Sequence, residues 1–170
     1  MRIFLIGFMG SGKSSLGKEL AHKLGLAFLD LDKMIEEQEG RKINEIFESE
    51  GEDTFRKIEH ECLIKTLQLN NIVISTGGGT PCFFDNMELI NAKGISIYIK
   101  YNPGILASRL FADKGKRPLI KHCKNKGELE LFLKDLLVKR EKYFLQSKIT
   151  IEEKNINARK IIEALSGTTS

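Results

Sequence analysis

Short apolar runs alternate with longer amphipathic stretches along this chain of 170 residues. The apolar runs predict strands at residues 2–6, 26–29, 71–75, 95–100 and 148–151. Helical spacing of apolar residues predicts helices at 13–24, 43–67, 85–92, 103–110, 128–144 and 157–165, the second one interrupted near Gly51. Because strands and helices alternate, the pattern predicts a parallel sheet covered by helices on both faces. Ligands of such sheets bind beyond the carboxyl ends of the strands.

The composition favours one soluble globular domain, with 41% hydrophobic and 29% charged residues. No apolar run approaches the roughly 18 residues that span a bilayer. The opening MRIFLIG is too short for a signal peptide and leads directly into a glycine-rich loop. We therefore interpret it as a buried strand and expect a cytoplasmic protein without a membrane partner.

Charge is distributed unevenly around a formal net value of +4. Residues 35–61 carry ten acids against four bases, whereas residues 113–126 carry six bases against one acid. A basic stretch binds nucleic acid, binds the phosphates of a small ligand, or is only a solvated face. Few aromatic residues are interleaved with these bases, and no zinc-finger or RNA-recognition signature occurs, so we expect no nucleic-acid partner. The three cysteines lack the spacing of a disulfide framework or a zinc site.

One motif carries specific chemistry. Residues 7–14 (GFMGSGKS) match GxxxxGK[ST] at every position, between a predicted strand and a predicted helix. In such a loop, glycines let backbone N–H groups approach phosphate oxygens, and the helix N-terminus favours anions. Lys13 can reach the β- and γ-phosphates, and the Ser14 hydroxyl can bind Mg²⁺. The motif predicts nucleotide binding but does not specify an acceptor.

Further along, Asp30 and Asp32 follow the second predicted strand. If this segment is extended, both carboxylates point the same way, one towards a metal and one towards an acceptor hydroxyl; otherwise one of them caps the next helix. Arg56 either presents its guanidinium to an anionic substrate or forms a surface ion pair with Glu59. Residues 77–79, three glycines after the third strand, permit close approach of a ligand or form a flexible turn. Arg117 lies on a basic loop that is either solvated or a lid over the transferring phosphate.

Taken in order, these residues resemble the shikimate kinase family over nearly the whole chain. The resemblance rests on residues 7–14, Asp30-x-Asp32, residues 55–59 (FRKIE), 77–79 and 117–119 (RPL), followed by Arg140. It implies a single kinase domain over residues 1–170, with a P-loop kinase fold and a five-stranded parallel sheet. A helical substrate-binding segment at about 31–61 and a lid at about 111–125 are also implied. The expected reaction transfers the ATP γ-phosphate to the 3-hydroxyl of shikimate, in aromatic amino-acid biosynthesis.

The resemblance also implies roles for individual residues. Asp32, Lys13 and Arg117 are the expected catalytic residues, with Asp32 as base or orienting group. Mg²⁺ is expected near Ser14 and Asp30, with Ser75 in the same environment. Shikimate is expected at Asp32, Arg56, Gly77, Gly78, Gly79 and Arg140, with both arginines on its carboxylate. The nucleotide is expected at Gly10, Ser11, Gly12, Lys13, Ser14, Ser15, Arg109 and Arg117. The sequence departs from the family at residues 140–143 (REKY), where a proline-leucine-tyrosine run often follows the arginine.

Other classes share parts of this pattern. A gluconate kinase would keep the loop and the sheet, and its substrate also carries a carboxylate. A nucleoside monophosphate kinase would need several arginines for the acceptor phosphate, but the acidic segment offers only Arg41 and Arg56. A switch GTPase would need NKxD and DxxG; residues 125–128 (NKGE) miss the first, and the second is absent. A regulatory ATP-binding module would leave Asp30-x-Asp32 and the glycines without a role. The small size and the resemblance favour a monomer.

Overall fold

A computed structural model describes residues 1–111 and 118–167 of the chain. Its strands are β1 (Arg2–Ile6), β2 (Ala27–Asp30), β3 (Ile72–Ser75), β4 (Ile95–Lys100) and β5 (Ile149–Glu152). They form one sheet in the order β2-β3-β1-β4-β5, and all neighbouring strands are parallel. The predicted five-stranded parallel sheet is therefore confirmed.

Helices connect these strands and complete a three-layer α/β arrangement. They are α1 (Lys13–Leu24), α2 (Leu31–Glu39), α3 (Ile43–Thr66), α4 (Asn86–Lys93), α5 (Pro103–Leu110), α6 (Lys126–Phe144) and α7 (Ala158–Gly167). Short 3₁₀ helices occur at Thr80–Cys82 and Pro118–Ile120. The apolar pattern did not single out α2, because it buries only Leu31 and Ile35 amid acidic residues.

The core is centred on β1, where Ile3, Phe4, Leu5 and Ile6 are all fully buried. A strand covered on both faces has no solvent side, so consecutive residues are apolar. Each such side chain contributes roughly 1.5–3 kcal/mol by leaving water. The edge strand β5 alternates buried and exposed positions instead.

Helix α3 is kinked at Gly51, where the interruption was predicted. The backbone there has φ 82° and ψ 175°, a conformation that is essentially restricted to glycine. Across the kink, the rings of Phe47 and Phe55 meet with their centroids 4.6 Å apart. The kink thus lets both halves of α3 contribute an aromatic side chain to one place.

The carboxyl ends of β1, β2 and β3 meet at one edge of the sheet. Asp30 of β2 lies beside Ser75 of β3, and Ser75 lies beside Leu5 of β1. The loop that follows β1 therefore begins next to the two polar residues that end its neighbours. Within the ranges that the structure describes, no helix combines the length and hydropathy of a membrane span.

Candidate active site

The loop between β1 and α1 has the backbone that phosphate binding requires. Gly10 and Gly12 have φ values of 79° and 83°, which side-chain-bearing residues rarely adopt. Gly12 directly precedes α1, so the first N–H groups of that helix open towards the loop. This geometry is typical of an anion site, in which backbone donors and the helix dipole act together.

Lys13 extends across the same loop and is only 8% exposed. Its ammonium Nζ donates to the carbonyl oxygens of Gly7 and Phe8, at 2.8 Å and 3.0 Å. The charge therefore lies within the turn of the loop and not out in solvent. An ammonium at this position is within reach of the phosphates that such a loop holds.

Two cavities adjoin at this edge of the sheet. The first, here the P-loop cavity, has a volume of about 310 Å³ and is bordered by Gly10, Gly12, Lys13, Ser14, Ser15, Asp30, Ser75, Thr76 and Arg109. The second, here the arginine cavity, has a volume of about 340 Å³ and is bordered by Arg56, Arg140, Glu59, Gly77 and Gly79 and by several apolar side chains. Met9, Asp32 and Gly78 border both. A group bound in one cavity can thus face a group bound in the other across Asp32.

One interpretation of the sequence placed Asp30 and Asp32 in one extended segment. In the structure, β2 ends at Asp30 and α2 begins at Leu31, so the two residues do not share an extended segment. Asp30 is the N-cap of α2, and its carboxylate accepts a bond from the Lys33 N–H at 3.3 Å. Asp32 lies in the first turn of that helix. The capping alternative is therefore correct for Asp30, but the same carboxylate also accepts a hydrogen bond from the Ser14 hydroxyl.

The residues around Asp30 suit Mg²⁺. Ser14 and Asp30 are hydrogen bonded, and Ser75 lies beside Asp30 in the sheet. These are oxygen donors, which Mg²⁺ prefers. No group of three or more acidic, histidine or cysteine side chains in the described part of the chain could enclose a metal. Such a site fits an ion that takes most of its ligands from nucleotide phosphates and water.

Arg56 is buried in the wall of the arginine cavity and is 5% exposed. Its Nη1 donates to Glu59 at 2.8 Å, and its Nη2 donates to Glu52 at 2.8 Å. Its guanidinium also lies over the Phe83 ring, 4.2 Å from the centroid. Burial on its own lowers the pKa of Arg56, but the charges of Glu59 and Glu52 outweigh it and the pKa is raised. The ion pair with Glu59 therefore exists, but it is buried and not on the surface.

Arg140 reaches the same cavity from α6 and is 7% exposed. Its Nη1 donates to the carbonyl oxygen of Gly78 over 3.4 Å. Burial lowers the pKa of Arg140, and the positive charge of Arg56 lowers it further. A second positive charge near Arg56 in a buried wall favours an anion between them.

The three glycines at 77–79 are required by close packing. A Cβ on Gly77 would lie 2.5 Å from a Glu59 oxygen, and one on Gly78 would lie 2.9 Å from the Met9 nitrogen. A Cβ on Gly79 would lie 2.8 Å from Arg56. None of the three has a left-handed φ. The groups that approach these glycines belong to the protein itself, so close approach of a ligand stays a prediction.

Three further residues were expected to bind the nucleotide: Ser11, Arg109 and Arg117. Arg109 borders the P-loop cavity, and its guanidinium lies over the Tyr101 ring at 4.2 Å. Ser11 is buried within the loop and accepts a bond from Lys13. Arg117 and its neighbours at residues 112–116 of the expected lid lie outside the described residues. Leu119, just beyond them, borders the arginine cavity.

Sequence reasoning missed several residues that form the arginine cavity. Phe47 and Phe55 border it from the two sides of the α3 kink, together with Ile43 and Asn44. Glu59 was part of the match at residues 55–59 but was given no role beyond an ion pair with Arg56; it is 1% exposed and borders the cavity. A further signal was the eight-residue spacing of Phe47 and Phe55 around Gly51.

Comparison with known proteins gives one consistent result. The family model described as shikimate kinase matches residues 9–168. A shikimate kinase of Azobacteroides pseudotrichonymphae is 48% identical, and the alignment covers 96% of each chain. The shikimate kinase of Parabacteroides distasonis is 43% identical, over 89% of this chain and 87% of the relative.

Solved structures agree with these relatives. A shikimate kinase from Bacteroides thetaiotaomicron superposes with a TM-score of 0.88 at 38% identity, covering 99% of this chain and 98% of the other. One from Acinetobacter baumannii, solved in complex with shikimate, also gives 0.88, at 34% identity, over 99% and 92%. A gluconokinase from Sinorhizobium meliloti gives 0.54 at 18% identity, over 99% and 91%, a likeness of fold alone.

Proposed function

The chain belongs to the shikimate kinase family, and from this premise we propose that it transfers the γ-phosphate of ATP to the 3-hydroxyl of shikimate. The products are shikimate 3-phosphate and ADP, in the biosynthesis of aromatic amino acids. The observation that carries the proposal is Asp32, which borders both the P-loop cavity and the arginine cavity. The protein acts as a single kinase domain, a cytoplasmic monomer with ATP and shikimate as its small-molecule partners.

ATP occupies the P-loop cavity with its phosphates on the loop. The backbone N–H groups at residues 10–15 and the Lys13 ammonium bind the β- and γ-phosphates. Ser14 and Asp30 hold Mg²⁺, directly or through water, and Ser75 lies in the same environment. The chemistry that Mg²⁺ would supply there is neutralisation of charge on the phosphate oxygens. Arg109 lies against the nucleotide, and Arg117 acts on the transferring phosphate.

Shikimate occupies the arginine cavity with its carboxylate between Arg56 and Arg140. Both guanidinium groups are buried there, so a charge-assisted contact to a carboxylate is stronger than it would be in water. The ring lies among apolar side chains that include Ile43, Phe55 and Leu119. Gly77, Gly78 and Gly79 present only backbone to the cavity.

Asp32 orients the acceptor hydroxyl and accepts its proton. From the boundary of the two cavities, its carboxylate can contact the hydroxyl while the γ-phosphate lies on the other side. Phosphoryl transfer requires mainly such positioning and charge stabilisation. The cavities thus supply the donor and the acceptor, and Asp32 lies where the two meet.

The decisive experiment measures ADP release with Mg²⁺-ATP and one acceptor at a time. Shikimate, gluconate and AMP are offered separately to the purified protein. Turnover with shikimate alone is the expected result. Turnover with gluconate or AMP instead would support kinase activity but show that shikimate is not the acceptor. Binding of ATP without turnover of any acceptor would favour a regulatory module.

A further inference from the structure

A chain of hydrogen bonds leads from α4 to the arginine cavity. The His60 ring Nδ1 donates to Asn86 Oδ1 at 2.6 Å, and Asn86 Nδ2 donates to the main-chain oxygen of Thr80 at 2.8 Å. The Thr80 hydroxyl donates to Glu59 Oε1 at 2.5 Å, and Arg56 donates to the other Glu59 oxygen at 2.8 Å. Asn86 and Thr80 are fully buried, so the bonds from Asn86 to Thr80 and from Thr80 to Glu59 are made without competition from water.

Glu59 is the branch point of this chain. One of its carboxylate oxygens binds Arg56 and the other binds Thr80, so both ends of the carboxylate are fixed. A buried carboxylate is costly unless hydrogen bonds satisfy it. Removing the Thr80 hydroxyl would release one oxygen and let the carboxylate rotate. Arg56 would then lose the fixed partner that sets the direction of its guanidinium.

The Thr80 hydroxyl also lies beside the place where the two cavities meet. A Cβ on Gly77 would lie 2.5 Å from Glu59 Oε1, 2.8 Å from Thr80 Oγ1 and 2.9 Å from Asp32 Oδ1. These three oxygens therefore surround one small volume, which only a glycine leaves open. Thr80 connects the wall that holds Arg56 to the immediate surroundings of Asp32.

We propose that Thr80, fixed by Asn86, is a positioning residue that sets Glu59 and through it directs the Arg56 guanidinium at the substrate carboxylate. The inference rests on the proposed function, in which Arg56 binds that carboxylate. Thr80 does not itself contact the substrate in this account. Because its hydroxyl acts through Glu59, Thr80 should affect the affinity for shikimate and should not affect the affinity for ATP.

Kinetics of Thr80→Val test the proposal, since this change removes the hydroxyl and keeps the shape. The KM for shikimate should rise about three- to tenfold, with kcat within about twofold and the KM for ATP unchanged. Thr80→Ser, which keeps a hydroxyl, should have the same KM for shikimate as the parent protein. Thr66→Val is the matched control, because Thr66 is equally buried but donates to the Leu63 carbonyl. Calorimetric titration of shikimate should show the same ranking of affinities without turnover.

The variant Arg56→Ala distinguishes a failure of the Thr80 proposal from a failure of the proposed function, in which Arg56 binds the shikimate carboxylate. If Arg56→Ala raises the KM for shikimate and Thr80→Val does not, positioning by Thr80 is overturned while the role of Arg56 stands. If Arg56→Ala itself has no effect, the assigned role of Arg56 fails first. In the Arg56→Ala background, Thr80→Val should add nothing further. An equal rise in KM with Thr66→Val would also contradict the proposal. Should Thr80→Val fold poorly, Thr80→Ala repeats the test with a smaller side chain.

Discussion

The two cavities are built in different ways, although they share Met9, Asp32 and Gly78. The P-loop cavity depends mainly on one continuous loop, whose backbone conformation and helix N-terminus form the site. The arginine cavity combines side chains from α2, α3 and α6 with the glycines after β3. The P-loop cavity therefore depends on the local conformation of one loop, whereas the arginine cavity depends on tertiary packing. Changes should affect them in correspondingly different ways.

The largest expected effect comes from the local site. Lys13→Ala removes the ammonium that lies against the loop carbonyls and that we propose binds the β- and γ-phosphates. We expect kcat to fall by about a thousandfold or more, since phosphoryl transfer depends on electrostatic stabilisation. Shikimate binding, measured calorimetrically without nucleotide, should be unchanged. Lys18→Ala, an exposed lysine of the same helix, is the control. A loss of shikimate affinity in Lys13→Ala would show that the cavities are not separable.

Asp32→Asn tests the boundary that both cavities share. The amide keeps the shape but cannot accept the proton of the acceptor hydroxyl, so we expect kcat to fall by about a hundredfold or more. Single-turnover measurements with saturating ATP and shikimate would report this step directly. A variant that keeps most of its kcat would refute the assigned role.

Arg56→Ala should weaken only the tertiary cavity. It removes the proposed charge-assisted contact with the shikimate carboxylate, worth roughly 1.5–3 kcal/mol, equivalent to about a ten- to 150-fold rise in the KM for shikimate. The KM for ATP should stay the same. Arg159→Ala is a matched control, because Arg159 also pairs with a glutamate four residues away but is highly exposed. If both variants behaved alike, Arg56 would be no more than a structural ion pair.

This contrast also explains how far the sequence could lead. The nucleotide side could be predicted because residues 7–14 form one contiguous motif between a strand and a helix. Arg56 and Glu59 were recognisable as a pair, but their burial depends on packing against residues after β3, such as Phe83. Thr80 gave no signal, because its hydrogen bond to Glu59 joins residues 21 positions apart. Helix α2 escaped prediction because only one narrow face of it is apolar.

Gly51→Ala tests whether the kink of α3 shapes the arginine cavity. A side chain has open space at this position, so the expected cost is backbone strain, of order 1–3 kcal/mol. Because Phe47 and Phe55 meet across the kink, the KM for shikimate should rise severalfold while the KM for ATP does not. Gly127→Ala in α6, a position without a left-handed φ, is the control. Equal thermal stability of Gly51→Ala and the parent would contradict the strain argument.

The smallest effect is expected at an exposed ion pair that borders neither cavity. Lys121 pairs with Glu48 of α3 at 3.5 Å, and both side chains are about two-thirds exposed. This ion pair joins a residue of the expected lid to the substrate-binding segment, but solvent and salt screen it. We expect Lys121→Ala to change the KM for shikimate by less than about twofold. The charge reversal Lys121→Glu should do little more at physiological salt. If either variant raised the KM for shikimate as far as Thr80→Val does, this exposed ion pair would matter for shikimate binding as much as the buried hydrogen bonds through Glu59. That result would contradict the assignment of Arg56 positioning to the buried residues.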